Sequence, residues 1–276
     1  MTHKVIDVFI LYDELNMLNY RLETLEHCVD YFVLVESTHT FNGLPKILHY
    51  NNNKSRFSKF LHKIVHIIVD DFPHKIDNSL NANGFSDGRQ WENELFQRER
   101  SIPRGLKRIP NLHPDDYVIC SDIDEIVNPS IIQDIQDCKI IIGDRHSLEM
   151  DMYYYNLTNY VAKWNAPCLQ RVKCVLETSV KKPLDTSGRW SYTSILPNAG
   201  WHLSYFGDSS VIQNKLKHFG HQEYNKDEYT NETHINAAIK SGTDLFNRDN
   251  VTITKIEIKD NPNLPPRLDL LAAFLG

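Results

Sequence analysis

Short runs of β-branched and aliphatic residues alternate with helical patterns in the first half of this 276-residue chain. The runs have the length and residue types of buried strands, and they lie at residues 5–11, 31–35, 64–69 and 117–120. Between the first two runs, leucines and a valine recur every three or four residues, which predicts an amphipathic helix over residues 14–29. Strands and helices that alternate in this order predict an α/β fold with a doubly wound, mainly parallel sheet.

The second half of the chain has a mixed rather than a repeating character. A long helix predicted at residues 91–106 leads into the strand at residue 117. Short β-like stretches then follow at 139–142, 152–155 and 172–176. This half is therefore expected to add mixed strands to the parallel sheet.

Helical patterns return near the C-terminus after turn signals at residues 182–183 and 187–188. One helix is predicted at 208–218, and a second at about 232–240, where Gly242 ends it. The last residues are expected to form a short docking helix. Because no low-complexity linker interrupts the sequence, we expect a single domain over residues 1–276.

Composition and charge exclude several classes of protein. The chain has 30 lysines and arginines against 36 aspartates and glutamates, a net charge of −6 that argues against a nucleic-acid partner. Its five cysteines contain no CxxC pair, which argues against a zinc ribbon or disulfide framework and is typical of a reducing compartment. The N-terminal apolar run is interrupted by Asp7 and Asp13 and is too short to span a membrane. We therefore expect a cytoplasmic protein without a transmembrane segment.

Two carboxylates follow the fourth predicted strand directly. Asp122 and Asp124 have the i, i+2 spacing that lets both side chains point to one side of an extended or turning backbone. They would lie at the carboxyl end of a parallel strand, where open α/β sheets bind ligands. Such oxygen ligands suit Mg²⁺ or Mn²⁺, and either ion can bridge to the diphosphate of a nucleotide. The alternative interpretation is a solvated turn after a strand.

An aromatic stretch at residues 200–208 ends in an acid at a predicted helix start. Asp208 can serve as a base for a hydroxyl group, or it can simply cap the helix. Trp201 offers a flat face to a sugar ring, or it is a core residue. These roles remain open at this point.

Cations and imidazoles are concentrated between residues 215 and 223. His218 or His221 can complete a metal shell, and Lys215 or Lys217 can meet a phosphate. The same residue types are also favoured in the last turn of a helix by the helix dipole. Glu223 adds an acid to this cluster.

Further candidates lie at the predicted sheet edge and on the second long helix. Glu14 and Glu36 follow the first two strands, where they can bind a nucleoside or lie in exposed loops. Among the arginines of residues 98–104, one or two are expected to face a ligand. The absence of GxGxxG, GxxxxGK[ST] and GxSxG argues against a dehydrogenase, a P-loop NTPase and a serine hydrolase.

Four sequence blocks resemble glycosyltransferase family 17, at residues 7–22, 29–43, 121–126 and 200–204. They follow the family's order over about residues 5–240. The resemblance implies a GT-A-type fold, a UDP-sugar donor, a glycan acceptor and inversion at the anomeric carbon. It implies Mn²⁺ or Mg²⁺ on the two aspartates and N-acetylglucosamine as the expected sugar. The compact form without a membrane anchor is typical of a bacterial or viral relative.

With this family as a frame, the candidate site residues divide into four groups. Residues 1–126 are the expected nucleotide-binding half and residues 127–276 the acceptor-binding half. The predicted base is Asp208; the metal ligands are Asp122, Asp124 and His221; the donor-binding residues are Glu14, Glu36, Arg98, Ser121, Ile123 and Lys215; and the acceptor-binding residues are Trp201, His202, Tyr154 and Glu223.

Other functions are compatible with the same motifs. A retaining transferase or a nucleotidyltransferase also uses metal-bound carboxylates on such a sheet. A carbohydrate-binding protein without catalysis could use Trp201 and the tyrosines of residues 153–155 as stacking surfaces. A phosphatase with an aspartate nucleophile is disfavoured, because its DxD motif normally lies on the first strand.

Overall fold

The computed structural model describes residues 3–76, 83–191 and 194–274. Its strands are β1 (Val5–Leu11), β2 (Tyr31–Ser37), β3 (Ile64–Val69), β4 (Tyr117–Asp122), β5 (Glu125–Val127), β6 (Arg145–Tyr154), β7 (Asn159–Trp164), β8 (Cys168–Arg171), β9 (Ser194–Ser204) and β10 (Thr254–Lys255). Its helices are α1 (Leu15–Leu25), α2 (His49–Asn52), α3 (Arg89–Leu106), α4 (Pro129–Gln136), α5 (Val172–Lys181), α6 (Ser209–His218), α7 (Asp227–Thr230), α8 (Glu232–Ser241) and α9 (Leu268–Leu271).

The described strands form one mixed sheet in the order β10-β7-β6-β8-β4-β1-β2-β3. β1 lies between β2 and β4 and is parallel to both, and β3 is parallel to β2. On the other side of β4, β8, β6, β7 and β10 pair antiparallel in turn. β9 is parallel to β6 and antiparallel to β5. The predicted α/β fold, parallel in its first half and mixed in its second, is confirmed.

Helices cover both faces of the parallel half. On one face, Leu18 and Leu22 of α1 join a buried cluster with Phe9 of β1. On the other face, Ile102 of α3 packs in a separate cluster with Val33 of β2. The approach of α3 to the sheet is close, because a Cβ added at Gly105 would come within 2.3 Å of a Val33 methyl group. The sheet is therefore doubly wound, as the alternating pattern predicts.

Two of the predicted strands in the second half are wrong. Residues 172–176 belong to helix α5, because Val172 and Val175 are buried at helical spacing while Leu176 is exposed. Residues 139–142 pair with no described strand and form a connection after α4. Ile142 is buried there, but Ile141 is 89% exposed. In both segments, a high content of aliphatic residues does not by itself distinguish a strand from a helix or a connection.

The predicted elements near the C-terminus are confirmed. The backbone of Gly242 is left-handed where α8 ends, a conformation that glycine adopts without steric cost. α9 docks through Leu271, which is buried. Among the described residues, none of the helices combines the length and apolar character that a membrane crossing requires.

Candidate active site

A cleft of about 760 Å³ opens where β1, β2 and β4 end. Tyr12, Ser37 and Asp122 line it from the carboxyl ends of these three strands. α3 and α6 form further walls through Arg98 and Lys215. This is the edge of the sheet at which open α/β folds bind their ligands.

The turn between β4 and β5 is held from behind by a buried arginine. Arg21 of α1 has no exposed side-chain surface, and its guanidinium is paired with Asp7 of β1 at 2.6 Å. It also donates to the backbone carbonyls of Asp122 at 2.8 Å and Glu125 at 2.9 Å. A buried charge with its hydrogen bonds satisfied on several sides fixes the groups around it. The backbone that carries the two aspartates is therefore preorganised.

Asp122 is clamped between two arginines. Arg98 of α3 contacts Oδ1, and Arg189 donates to Oδ2 at 3.1 Å. Arg189 also donates to Glu125, at 2.5 and 3.0 Å. Burial alone would raise the pKa of Asp122, but Arg189 and Arg98 together outweigh it and hold this pKa below its usual range. Asp122 is therefore an anion at neutral pH.

Asp124 is neutralised from the other side of the cleft. Lys215 Nζ lies 2.9 Å from Oδ2, and His202 Nε2 lies 3.7 Å from Oδ1. Burial would raise the pKa of Asp124, yet Lys215 and His202 lower it. Burial would lower the pKa of Lys215, but the neighbouring Asp124 and Glu14 raise it. The two aspartates therefore contact three fixed cationic side chains.

Asp122 and Asp124 fit a divalent cation that also takes oxygens from a ligand. Mg²⁺ is usually bound by one or two carboxylates together with phosphate oxygens and water. In the part of the chain that the structure describes, no group of three or more His, Cys, Asp and Glu side chains could hold a metal ion. His221, the predicted third ligand, is exposed, pairs with Glu223 at 2.6 Å and packs edge-on against Trp91. Of the three predicted ligands, Asp122 and Asp124 therefore remain candidates, and each is paired with cationic side chains in this structure.

The structure brings most of the predicted site residues to one cleft. Those that line it are Glu14, Arg98, Asp122, Ile123, Asp124, Tyr154, His202, Lys215 and His221. Those that do not line it are Glu36, Ser121, Trp201, Asp208 and Glu223.

Asp208 and Trp201 have structural roles. The Asp208 carboxylate is exposed and accepts from the backbone N–H groups of Ser210 at 2.9 Å and Val211 at 3.0 Å, which caps α6. Trp201 is 2% exposed, and its indole N–H donates to the carbonyl of Asn263 at 2.7 Å. The capping and core interpretations are therefore favoured over a base and a stacking surface.

Glu36 and Ser121 also support the fold from outside the cleft. Glu36 is fully buried, accepts from the backbone N–H of Tyr50 at the start of α2, and contacts His66 at 3.1 Å. The Ser121 hydroxyl accepts from Arg21 at 2.5 Å. Neither side chain is directed at a ligand in the cleft.

Three important residues were missed in the sequence. Arg21 could have been found, because it lies on the apolar side of the α1 stripe and Asp7 interrupts an apolar strand. Arg189 follows a turn with no local pattern. Trp164 ends β7, and its indole N–H donates to Glu125 at 2.6 Å. The last two are brought to the site by tertiary structure alone.

Comparisons with known proteins show which family the sequence matches. A model of glycosyltransferase family 17 matches residues 1–255, which confirms the resemblance of the sequence blocks. β-1,4-Mannosyl-glycoprotein 4-β-N-acetylglucosaminyltransferase of Rattus norvegicus is 31% identical over 125 residues, 45% of this chain and 21% of that protein. The Homo sapiens protein of the same name is 31% identical over 125 residues, with 45% and 22% covered. The match spans about a fifth of the length of these relatives.

Among solved structures, 4-diphosphocytidyl-2C-methyl-D-erythritol synthase from Anaerococcus prevotii is similar in shape. It matches 71% of this chain and 89% of its own, with a TM-score of 0.40 and 10% sequence identity. Similarity at this level carries no functional conclusion.

Proposed function

The chain belongs to glycosyltransferase family 17, and from this membership we propose that it transfers a sugar from a UDP-sugar to a hydroxyl group of a glycan. The proposal includes a GT-A-type fold, Mn²⁺ or Mg²⁺ dependence and inversion at the anomeric carbon. N-Acetylglucosamine is the proposed sugar, because the relatives above are N-acetylglucosaminyltransferases by name.

One observation carries the proposal: two preorganised carboxylates and three cations meet in one cleft at the end of β4. Asp122 and Asp124 are the residues that would hold the metal. Held by these two carboxylates, a divalent cation would supply positive charge to offset the negative charge of the donor diphosphate and of the departing nucleotide.

The cationic side chains of the cleft suit the same ligand. Arg98 and Arg189 are held in place by their carboxylate partners, and Lys215 reaches into the cleft from α6. A diphosphate that enters would find these donors already oriented, which lowers the entropic cost of binding. We propose that Lys215 and Arg98 hold the departing diphosphate. Glu14, at the end of β1, is proposed to contact the nucleoside.

A cytoplasmic location is also part of this proposal. It rests on the cysteines, all five of which lie within the described residues and are free. Unpaired thiols are typical of a reducing compartment.

The test is thermal unfolding with Mn²⁺ and a panel of nucleotide sugars, with and without EDTA. We expect metal-dependent stabilisation by one UDP-sugar, of about 2.7 kcal/mol when the ligand is present at a hundred times its Kd. Asp124→Asn is expected to remove this stabilisation and the transfer of sugar. Asp134→Asn, at a surface carboxylate of α4 that pairs with Lys139, is the matched control.

Three outcomes would contradict the proposal, one from this experiment and two from an assay of the products of transfer. Stabilisation that is unchanged by EDTA would show that donor binding does not require a metal ion. The release of pyrophosphate rather than UDP would indicate a nucleotidyltransferase, and product of retained configuration would exclude inversion.

A further inference from the structure

Two tryptophans meet at a right angle on one side of the cleft. The rings of Trp164, at the end of β7, and Trp190, in the segment after α5, have centroids 5.3 Å apart and planes at 86°. Both line the cleft. Trp190 is 63% exposed, so most of its indole surface is left in contact with solvent. A large aromatic face at the rim of a polar cleft indicates a surface kept for a ligand.

The backbone of Trp190 is strained. Its φ of 63° lies in the left-handed region, which is unfavourable for a bulky side chain. Its neighbours hold it there: Arg189 is anchored on Asp122 and Glu125, and the backbone N–H of Ser191 donates to Gly188 at 3.0 Å. Strain that the surroundings enforce is typical of ligand-binding positions.

Both rings are tied to the turn that carries the two aspartates. Trp164 donates its indole N–H to Glu125, next to Asp124. Trp190 follows Arg189, which bridges Asp122 and Glu125. The aromatic surface is thus continuous with the proposed reaction centre rather than a separate patch.

The sheet order shows which substrate this surface can meet. Tyr12 and Ser37, at the ends of β1 and β2, lie on one side of β4. Trp164 ends β7, on the other side of β4 and beyond β8 and β6. If the nucleoside lies above β1 and β2, the tryptophans face the substrate that approaches from the opposite side.

We propose that Trp190, backed by Trp164, is the stacking platform for a pyranose ring of the acceptor glycan. This inference rests on the proposed function. A pyranose has an apolar face of C–H groups and a polar rim of hydroxyl groups. Trp190 meets the face. The carboxylate of Asp185 lines the cleft in the same segment and pairs with Arg145 at 3.4 Å, and its lone pairs that this contact does not use can accept from hydroxyl groups. The occupant that we assign to this surface is a neutral pyranose ring.

The test uses the full chain and the Trp190→Ala variant, with Trp190→Tyr as the conservative variant. Ile141→Ala, at an 89% exposed residue outside the cleft, is the matched control. Mannose-terminated oligosaccharides are the acceptor probes, titrated by isothermal calorimetry in the presence of UDP and Mn²⁺. UDP-N-acetylglucosamine hydrolysis, which needs no glycan, is measured in parallel.

We expect Trp190→Ala to weaken oligosaccharide binding, and to raise the KM for the acceptor, at least tenfold. The Kd for UDP and the hydrolysis rate are expected to stay within twofold of wild type, and Trp190→Tyr is expected to recover most of the affinity. Because the residue is exposed and strained, the variant should fold with an unchanged Tm.

Three outcomes would overturn this assignment. Wild type and Trp190→Ala could bind the oligosaccharide with equal affinity, or neither protein could bind it while hydrolysis persists. Trp190→Ala could also lose as much affinity for UDP as for the oligosaccharide, which would assign the ring to the nucleobase. Failure of the proposed function has a different signature, in which wild type neither binds nor hydrolyses any UDP-sugar.

Discussion

Lys215 Nζ lies 2.9 Å from Asp124 Oδ2. Helix α6, which begins after the exposed cap Asp208, therefore places the ammonium group of Lys215 beside the turn after β4. The lysine also lies near Glu14, which helps to keep it charged. Lys215 is therefore held by acidic partners in the free protein. An incoming diphosphate then competes with Asp124 for the same ammonium group.

Lys215→Met is expected to weaken UDP binding by about 10- to 100-fold, the equivalent of a lost charge-assisted hydrogen bond. Lys217→Met is the control, because Lys217 lies on the same helix, is exposed and donates to Gln213 at 3.1 Å. Isothermal titration of UDP with Mn²⁺ measures both variants. A Kd for Lys215→Met equal to that of Lys217→Met would show that Lys215 does not meet the diphosphate.

Arg21→Met is expected to destabilise the protein by about 3–5 kcal/mol, because it leaves the buried Asp7 carboxylate without a partner. Urea denaturation of the variant, followed by far-UV circular dichroism, measures this loss. The double variant Arg21→Met with Asp7→Leu removes both charges and is expected to regain a large part of the stability. A loss below about 1 kcal/mol in Arg21→Met would contradict a structural role for this ion pair.

The fold could be read from the sequence wherever local patterns and tertiary environment agree. β1 and β3 have the predicted bounds because each is a run rich in aliphatic residues, although β1 is largely buried and the edge strand β3 only partly so. The strand predicted at residues 172–176 is wrong because β-branched residues can also form one face of a helix. Only the burial of Val172 and Val175 in the folded protein distinguishes the helix from a strand. Local composition therefore identifies buried elements more reliably than it identifies their type.

The candidate site was predictable only in its local part. Asp122 and Asp124 could be found because they follow a recognisable strand. Arg189 and Trp190 could not, because the path that returns them to the cleft depends on the pairing of β8 with β4 and the connection after α5. Trp201 was predicted to stack on a sugar but is buried, since a sequence does not show on which face of a strand a side chain lies.

Glu14→Gln is expected to change the pH dependence of stability. Burial, together with the nearby Asp13, raises the pKa of Glu14 above its ordinary value of 4.5. The folded protein therefore holds a proton at pH values where the unfolded chain has lost it. The free energy of unfolding should accordingly decline as the pH rises from about 4.5 through the raised pKa.

This decline is expected to be smaller in Glu14→Gln, whose amide oxygen can still accept from the backbone of Tyr12 and Asp13. Urea denaturation of both proteins between pH 4 and pH 8 measures the difference. A difference in stability that does not vary with pH would show that Glu14 titrates alike in the folded and unfolded states.

Asp208→Asn separates the two roles of this residue, because asparagine is as good an N-cap as aspartate but cannot act as a base at neutral pH. Since the Asp208 carboxylate is exposed, caps α6 and lies outside the cleft, we expect Asp208→Asn to retain both stability and transfer. Asp208→Ala removes the cap and is expected to cost about 1 kcal/mol of stability, with kcat changed less than threefold. Steady-state kinetics and urea denaturation of both variants give the answer. A loss of kcat by a factor of a hundred or more in Asp208→Asn, with stability intact, would restore Asp208 as the base and would require α6 to move toward the substrate.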